Sequence, residues 1–91
     1  MPFEWDENKR LANLAKHGID FVDAVQVFAD ERGFIYRSEV LTGEERHVVV
    51  GMAGERCLAV VFIYRGRDVR RIISARRARK NERKRYEGAQ R

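Results

Sequence analysis

The run RHVVVGMAGERCLAVVFIYRGRDVRRIIS, residues 46–74, decides the fold. Residues 46–53 and 56–65 are rich in Val, Ile, Phe and Tyr, and Gly54-Glu55 between them is a two-residue hairpin signal, so the two segments pair antiparallel. Both alternating sets of the second segment are apolar, Leu58-Val60-Phe62 on one side and Cys57-Ala59-Val61-Ile63 on the other, which places that strand in the middle of a sheet. The turn Arg65-Gly66-Arg67-Asp68 then sends the chain into a further strand over residues 69–74.

Upstream the period changes to that of helices. Asp6 caps a helix over residues 7–17, and Lys16-His17-Gly18 suit its C-terminus. At 100° per residue Leu11, Leu14, Ala15 and Gly18 form one side, the expected core face, while Lys9, Asn13 and Lys16 form a polar, basic stripe opposite. Spacing alone fits an ordinary solvated face equally well. Phe3 and Trp5 are expected beneath the start of this helix. Asp20 caps a second helix over residues 21–29, where Phe21, Ala24, Val25 and Phe28 recur at the spacing of a buried stripe. A short strand at 34–36 and an exposed, acidic connection at 37–45 lead back to the hairpin. The expected fold is α+β: two N-terminal helices, a three- to four-stranded antiparallel sheet and a C-terminal basic helix. With 91 residues it is a single domain spanning 1–91.

Downstream of the strands the charge is extreme. Residues 65–91 hold 12 Lys/Arg against 3 Asp/Glu, a net of +9, while residues 1–64 hold 7 against 11, a net of −4. A polyanion partner is implied. A last helix is expected over residues 75–86, with Arg76, Arg77 and Arg79 crowding its first turn. Cations there oppose the helix dipole, and unpaired N–H groups with guanidinium forks suit a phosphate. The competing reading pairs these arginines with the acidic half of the chain or with Glu82 and Glu87.

Other chemistries are poorly supplied. Cys57 is the single cysteine and lies in an apolar run, so it reads as core in a reducing compartment. The longest apolar run, residues 57–64, is far below the roughly 20 residues of a membrane span, and the start of the chain has no apolar leader; a soluble, cytoplasmic protein without a membrane partner is expected. His17, His47 and Cys57 lack ligand spacing, so no metal is expected. The seven glycines fall singly and form no nucleotide loop, so no cofactor is expected either. What remains is phosphodiester work by basic residues. Cleavage of RNA by its own 2′-OH needs cationic or N–H donors on the phosphorane oxygens, a base, and an acid for the leaving oxygen. Arginine suits the first role, and His17, Lys9, Lys16, Glu82 and Tyr86 are the residues available for the others. His17 also suits a plain role, as a cation at the end of its helix.

Two blocks of residues carry a family likeness. Phe3-Glu4-Trp5-Asp6 with Lys9, Asn13 and Lys16-His17-Gly18 resembles the opening signature of BrnT-type toxins. Arg71-Ile72-Ile73-Ser74-Ala75-Arg76 through Glu82-Arg83 and Tyr86 resembles their closing one. The resemblance implies a RelE-like α+β fold and a type II toxin that cleaves RNA and inhibits translation; with no metal expected from the residues, the cleavage is metal-independent. It also implies a BrnA-type antitoxin with a ribbon-helix-helix part, and operator DNA bound through the complex. Catalytic roles carry over to Arg76 first, then to Arg71, Lys9, His17 and Glu82. Contact with RNA is expected from Arg77, Arg79, Lys16, Asn13, Arg83 and Tyr86. Tyr64 and the arginine load of residues 76–85 depart from the family pattern. Two other classes fit the basic segment: a non-catalytic nucleic-acid-binding module, and an interaction protein whose basic helix takes an acidic partner.

Overall fold

The computed structural model describes residues 2–38 and 43–88. Part of the connection expected over residues 37–45 lies outside that set. In chain order the elements are β1 (Phe3–Trp5), α1 (Glu7–His17) and α2 (Phe21–Ala24), which continues as a 3-10 segment (Val25–Ala29). There follow β2 (Phe34–Arg37), β3 (His47–Ala53), β4 (Arg56–Arg65), β5 (Val69–Arg77) and α3 (Lys80–Gly88).

The helix boundaries follow from their caps. Asp6 accepts the N–H groups of Asn8 and Lys9 at 2.8 and 3.2 Å, and Gly18 ends α1 in the left-handed region at φ 69°, its N–H donating to Leu14 O. Asp20 does the same for α2 through Val22 N–H. Asp30 then closes the 3-10 segment, accepting from Arg32 N–H, and reaches the sheet at Met52 N–H, 2.8 Å away.

The five strands form one sheet in the order β1-β5-β4-β3-β2. Three of the four pairings are antiparallel, and the hairpin at Gly54-Glu55 and a central β4 are as expected. The fourth is parallel: Phe3, Glu4 and Trp5 lie beside Arg70, Arg71 and Ile72. The sheet is therefore mixed, which corrects the all-antiparallel expectation. Three residues before a helix carry too little periodicity to be read as a strand, and only the free edge of β5 makes them one. One face of the sheet packs Leu58, Val60, Phe62, Ile72 and Ala75 against Ile19, Phe21, Ala24 and Val27. Phe3 and Trp5 pack on that same cluster from β1. The other face sets Val48, Val50 and Ala59 against Ala78 and Tyr86, where α3 crosses. Burying each of the larger side chains contributes about 1.5–3 kcal/mol.

The 3-10 segment sits so close to β3 that glycine is required on both sides. A Cβ on Gly33 would stand 2.9 Å from Val50 O, and one on Gly51 3.1 Å from Val27 O. Gly33→Ala is expected to lower stability by about 1–3 kcal/mol, through forced backbone displacement. Thermal unfolding measures it.

Two further expectations are corrected. The last helix does not begin at residue 75, because β5 runs through Arg77 and α3 starts only at Lys80. Strand pairing with β4, Leu58 opposite Arg77 and Ala59 opposite Arg76, outweighs the local helical preference of the alanine and arginine run. The orientation of α1 is also reversed. Its expected core face is outside, with Leu11 50% and Leu14 39% exposed, while Asn13 is buried at 7%.

Candidate active site

A bulge in β5 gathers the first group of side chains. Phe62 pairs with Ile72 and Val61 with Ser74, so Ile73 is an extra residue on β5. In a regular strand Arg71 and Ser74 would point to opposite faces. The extra residue restores them to one: Arg71, Ser74 and Arg76 pair with Ile63, Val61 and Ala59, which share the face that α3 partly covers.

Helix α1 brings the second group to the edge of the same strand. Beyond the short β1, the peptide groups of Ala75 face outward with no strand beside them. Asn13 fills that place. Its Oδ1 accepts Ala75 N–H at 3.0 Å, and its Nδ2 donates to Ala75 O and to Ile19 O, both at 2.9 Å. A primary amide carries donor and acceptor in the arrangement of a peptide unit, so one side chain substitutes for a missing strand. Asn13 is also the one buried residue of α1 among those described. With α1 so held, Lys9, Lys16 and His17 line an open groove of about 280 Å³ together with Ile73 and Ser74. No carboxylate is among its lining residues.

The third group stands behind Arg76. Its guanidinium donates to both carboxylate oxygens of Glu82, at 2.7 and 3.0 Å, and Tyr36 donates its hydroxyl hydrogen to the same carboxylate. Tyr36 lies on β2, three strands from β5, a lateral distance of about 14 Å, so Glu82 of α3 bridges across the sheet. Glu82 also accepts Arg79 N–H at 2.8 Å, which caps the start of α3. These donors outweigh the cost of burial and hold the Glu82 carboxyl at about 2, far below its ordinary value. The anion site expected at a helix start is thus already occupied, by a carboxylate of the chain itself. Of its arginines, moreover, Arg76 and Arg77 belong to a strand, and Arg79 lies between β5 and α3.

The remaining expected residues are placed elsewhere. Arg71 pairs with Glu4 of the neighbouring β1 at 2.6 Å. Arg77, Arg83 and Tyr86 line a separate cleft with Arg56. Arg79 is exposed just before α3. His17 stands in the last turn of α1 and lines the groove, so the two readings of it are compatible. Tyr36, Glu4 and Arg56 were not anticipated. For Tyr36 the alternation of Phe34 and Tyr36 was a usable signal, whereas Glu4 and Arg56 acquire neighbours only from strand pairing and turn placement. Among the described residues, no three of His, Cys, Asp and Glu come together as a metal site. No helix among them is long and apolar enough to cross a membrane.

The groove, the β5 arginines and the basic α3 describe a small cationic α+β domain with an open groove along one strand edge. Residues 5–82 match the family described as the ribonuclease toxin BrnT of type II toxin-antitoxin systems. The crystal structure of the Brucella abortus ribonuclease toxin BrnT resembles this fold with a TM-score of 0.72 and 32% sequence identity, over 88% of this chain and 99% of that one. No curated protein matches the chain in sequence. The chain belongs to the BrnT family of ribonuclease toxins.

Proposed function

We propose that the chain is a cytoplasmic endoribonuclease that cuts RNA without a metal ion and so inhibits translation, with the groove between α1 and β5 as its active site. The observation that carries this reading is the convergence of Lys9, Lys16 and His17 on Ser74, with Arg71 and Arg76 on the same face of β5. A phosphodiester in the groove would meet cations on its non-bridging oxygens as the ribose 2′-OH attacks phosphorus and the 5′ oxygen leaves. His17 is assigned to proton transfer and the two lysines to the phosphorane charge. Arg76 acts from behind, oriented by Glu82, and Arg71 is held in place by Glu4. In the cell a BrnA-type antitoxin with a ribbon-helix-helix part neutralises the chain, and the complex binds operator DNA.

The test uses purified protein and single-stranded RNA in excess chelator. Products ending in 2′,3′-cyclic phosphate are expected. Lys16→Ala with His17→Ala should lower the cleavage rate by at least about 10²-fold, since each removes a group from the charged transition state. Both residues are exposed, so the circular dichroism spectrum should not change. Cleavage that needs a divalent cation, or that survives the double substitution, overturns the assignment. RNA that is bound and never cut favours the non-catalytic module.

A further inference from the structure

A cleft of about 390 Å³ lies apart from the groove of α1 and β5. It lies at the other end of β5 and is lined by Arg56 from the start of β4, Arg77 from the end of β5 and Arg83 from α3. Among the described residues none of these three guanidinium groups forms an ion pair, although Glu55 and Glu87 line the same cleft. Three cations against two carboxylates give the cleft lining a net positive charge, which favours an anion there. Guanidinium forks favour phosphate as that anion.

Position makes this anion part of a strand. From Ser74 in the groove to Arg77 the chain of β5 rises about 10 Å, within reach of a phosphate about one or two nucleotides away. We propose that the cleft is a second phosphate subsite for the RNA strand, in which Arg56, Arg77 and Arg83 hold a phosphate flanking the one that is cut. The proposal rests on the groove as the cleavage site, and it adds Arg56, which lies outside the strongly basic segment of the sequence. It also gives the bound strand a direction along β5, from the groove toward the Gly54-Glu55 turn.

Binding of a fluorescent 2′-O-methyl RNA, which has no 2′-OH to attack and cannot be cut, is measured by anisotropy across a salt series. Arg56→Glu is expected to weaken binding at least tenfold, and Arg56→Ala to lower the slope of log K against log salt by about 0.7, the value for one lost phosphate contact on a single strand. Arg67→Glu makes the same charge change in the exposed turn between β4 and β5 and should have a much smaller effect. In cleavage, Arg56→Ala should reduce kcat/KM for a longer RNA about fivefold more than for a dinucleoside monophosphate, which has only the phosphate that is cut. Equal effects of Arg56→Glu and Arg67→Glu on binding, or equal losses on the two substrates, overturn the subsite. Should the parent protein cut neither substrate, the cleavage reading fails while the binding series still decides the subsite.

Discussion

Asn13→Leu is expected to lower stability by about 3 kcal/mol and to abolish measurable RNA cleavage. The leucine is close to asparagine in size, so little space opens. What is lost is the partner of three backbone groups, Ala75 N–H, Ala75 O and Ile19 O. Buried polar groups left without partners cost about 1–3 kcal/mol each, and the sum is reduced because α1 can shift to admit water. A drop of 3 kcal/mol corresponds to about 12–24 °C in Tm for a chain of this size. Activity should fall further than unfolding explains, because α1 carries Lys9, Lys16 and His17 and this amide anchors it to β5. Asn13→Asp supplies the rescue test: a carboxylate still accepts Ala75 N–H but cannot donate to the carbonyls, so it should lie between parent and Asn13→Leu in both stability and kcat. Full activity of folded Asn13→Leu at a temperature below its Tm would show that α1 needs no such anchor.

The second large effect is expected at Glu82. Its carboxyl is held at about 2 against an ordinary 4.5, and the side chain is only 4% exposed. A depressed carboxylate stabilises the folded state above its unfolded pKa, and the contribution disappears as pH falls from about 4.5 toward 2. The shift corresponds to about 3 kcal/mol at neutral pH. Glu82→Gln should therefore unfold at lower urea than the parent at pH 7, and the gap between the two should close on acidification to pH 2–3. A gap that stays constant with pH would mean that packing, not charge, gives Glu82 its role. Arg76→Ala leaves this buried carboxylate without its main partner and should cost about 2–4 kcal/mol. Its loss of activity must for that reason be separated from its loss of fold. Arg76→Lys, which keeps a charge without the fork, separates the two.

The two positions explain what could be anticipated and what could not. The hairpin of β3 and β4, the caps at Asp6 and Asp20 and the polar groove residues Lys9, Lys16 and His17 are set by signals within a few residues of each other. The face that α1 buries is not the one its amphipathic spacing indicates, because that spacing presumes that apolar residues seek the core. Here the helix is short of a partner for its leucines, and the strongest local demand for burial comes from an unpaired strand edge that only an amide can satisfy. Leu11 and Leu14 are left at the surface for that reason. The start of α3 lies later than composition indicates, because the run 75–79 is locally helical in composition and the pairing of Arg76 and Arg77 with β4 is visible only once the sheet exists.

Local order alone determined that this chain folds as an α+β domain around a β3–β4 hairpin and concentrates positive charge in its last third. It determined as well that two separated blocks, one at each end of the chain, carry the signature of a toxin family. Tertiary structure alone decided which side chains meet. A single extra residue in β5 turns Arg71 to the face of Ser74 and Arg76, and one buried amide sets α1 beside them. A carboxylate on α3 joins β5 to a tyrosine three strands away. Each of these depends on strand register and on the satisfaction of buried polar groups, which are properties of pairs of segments distant in the chain and have no periodicity within either one.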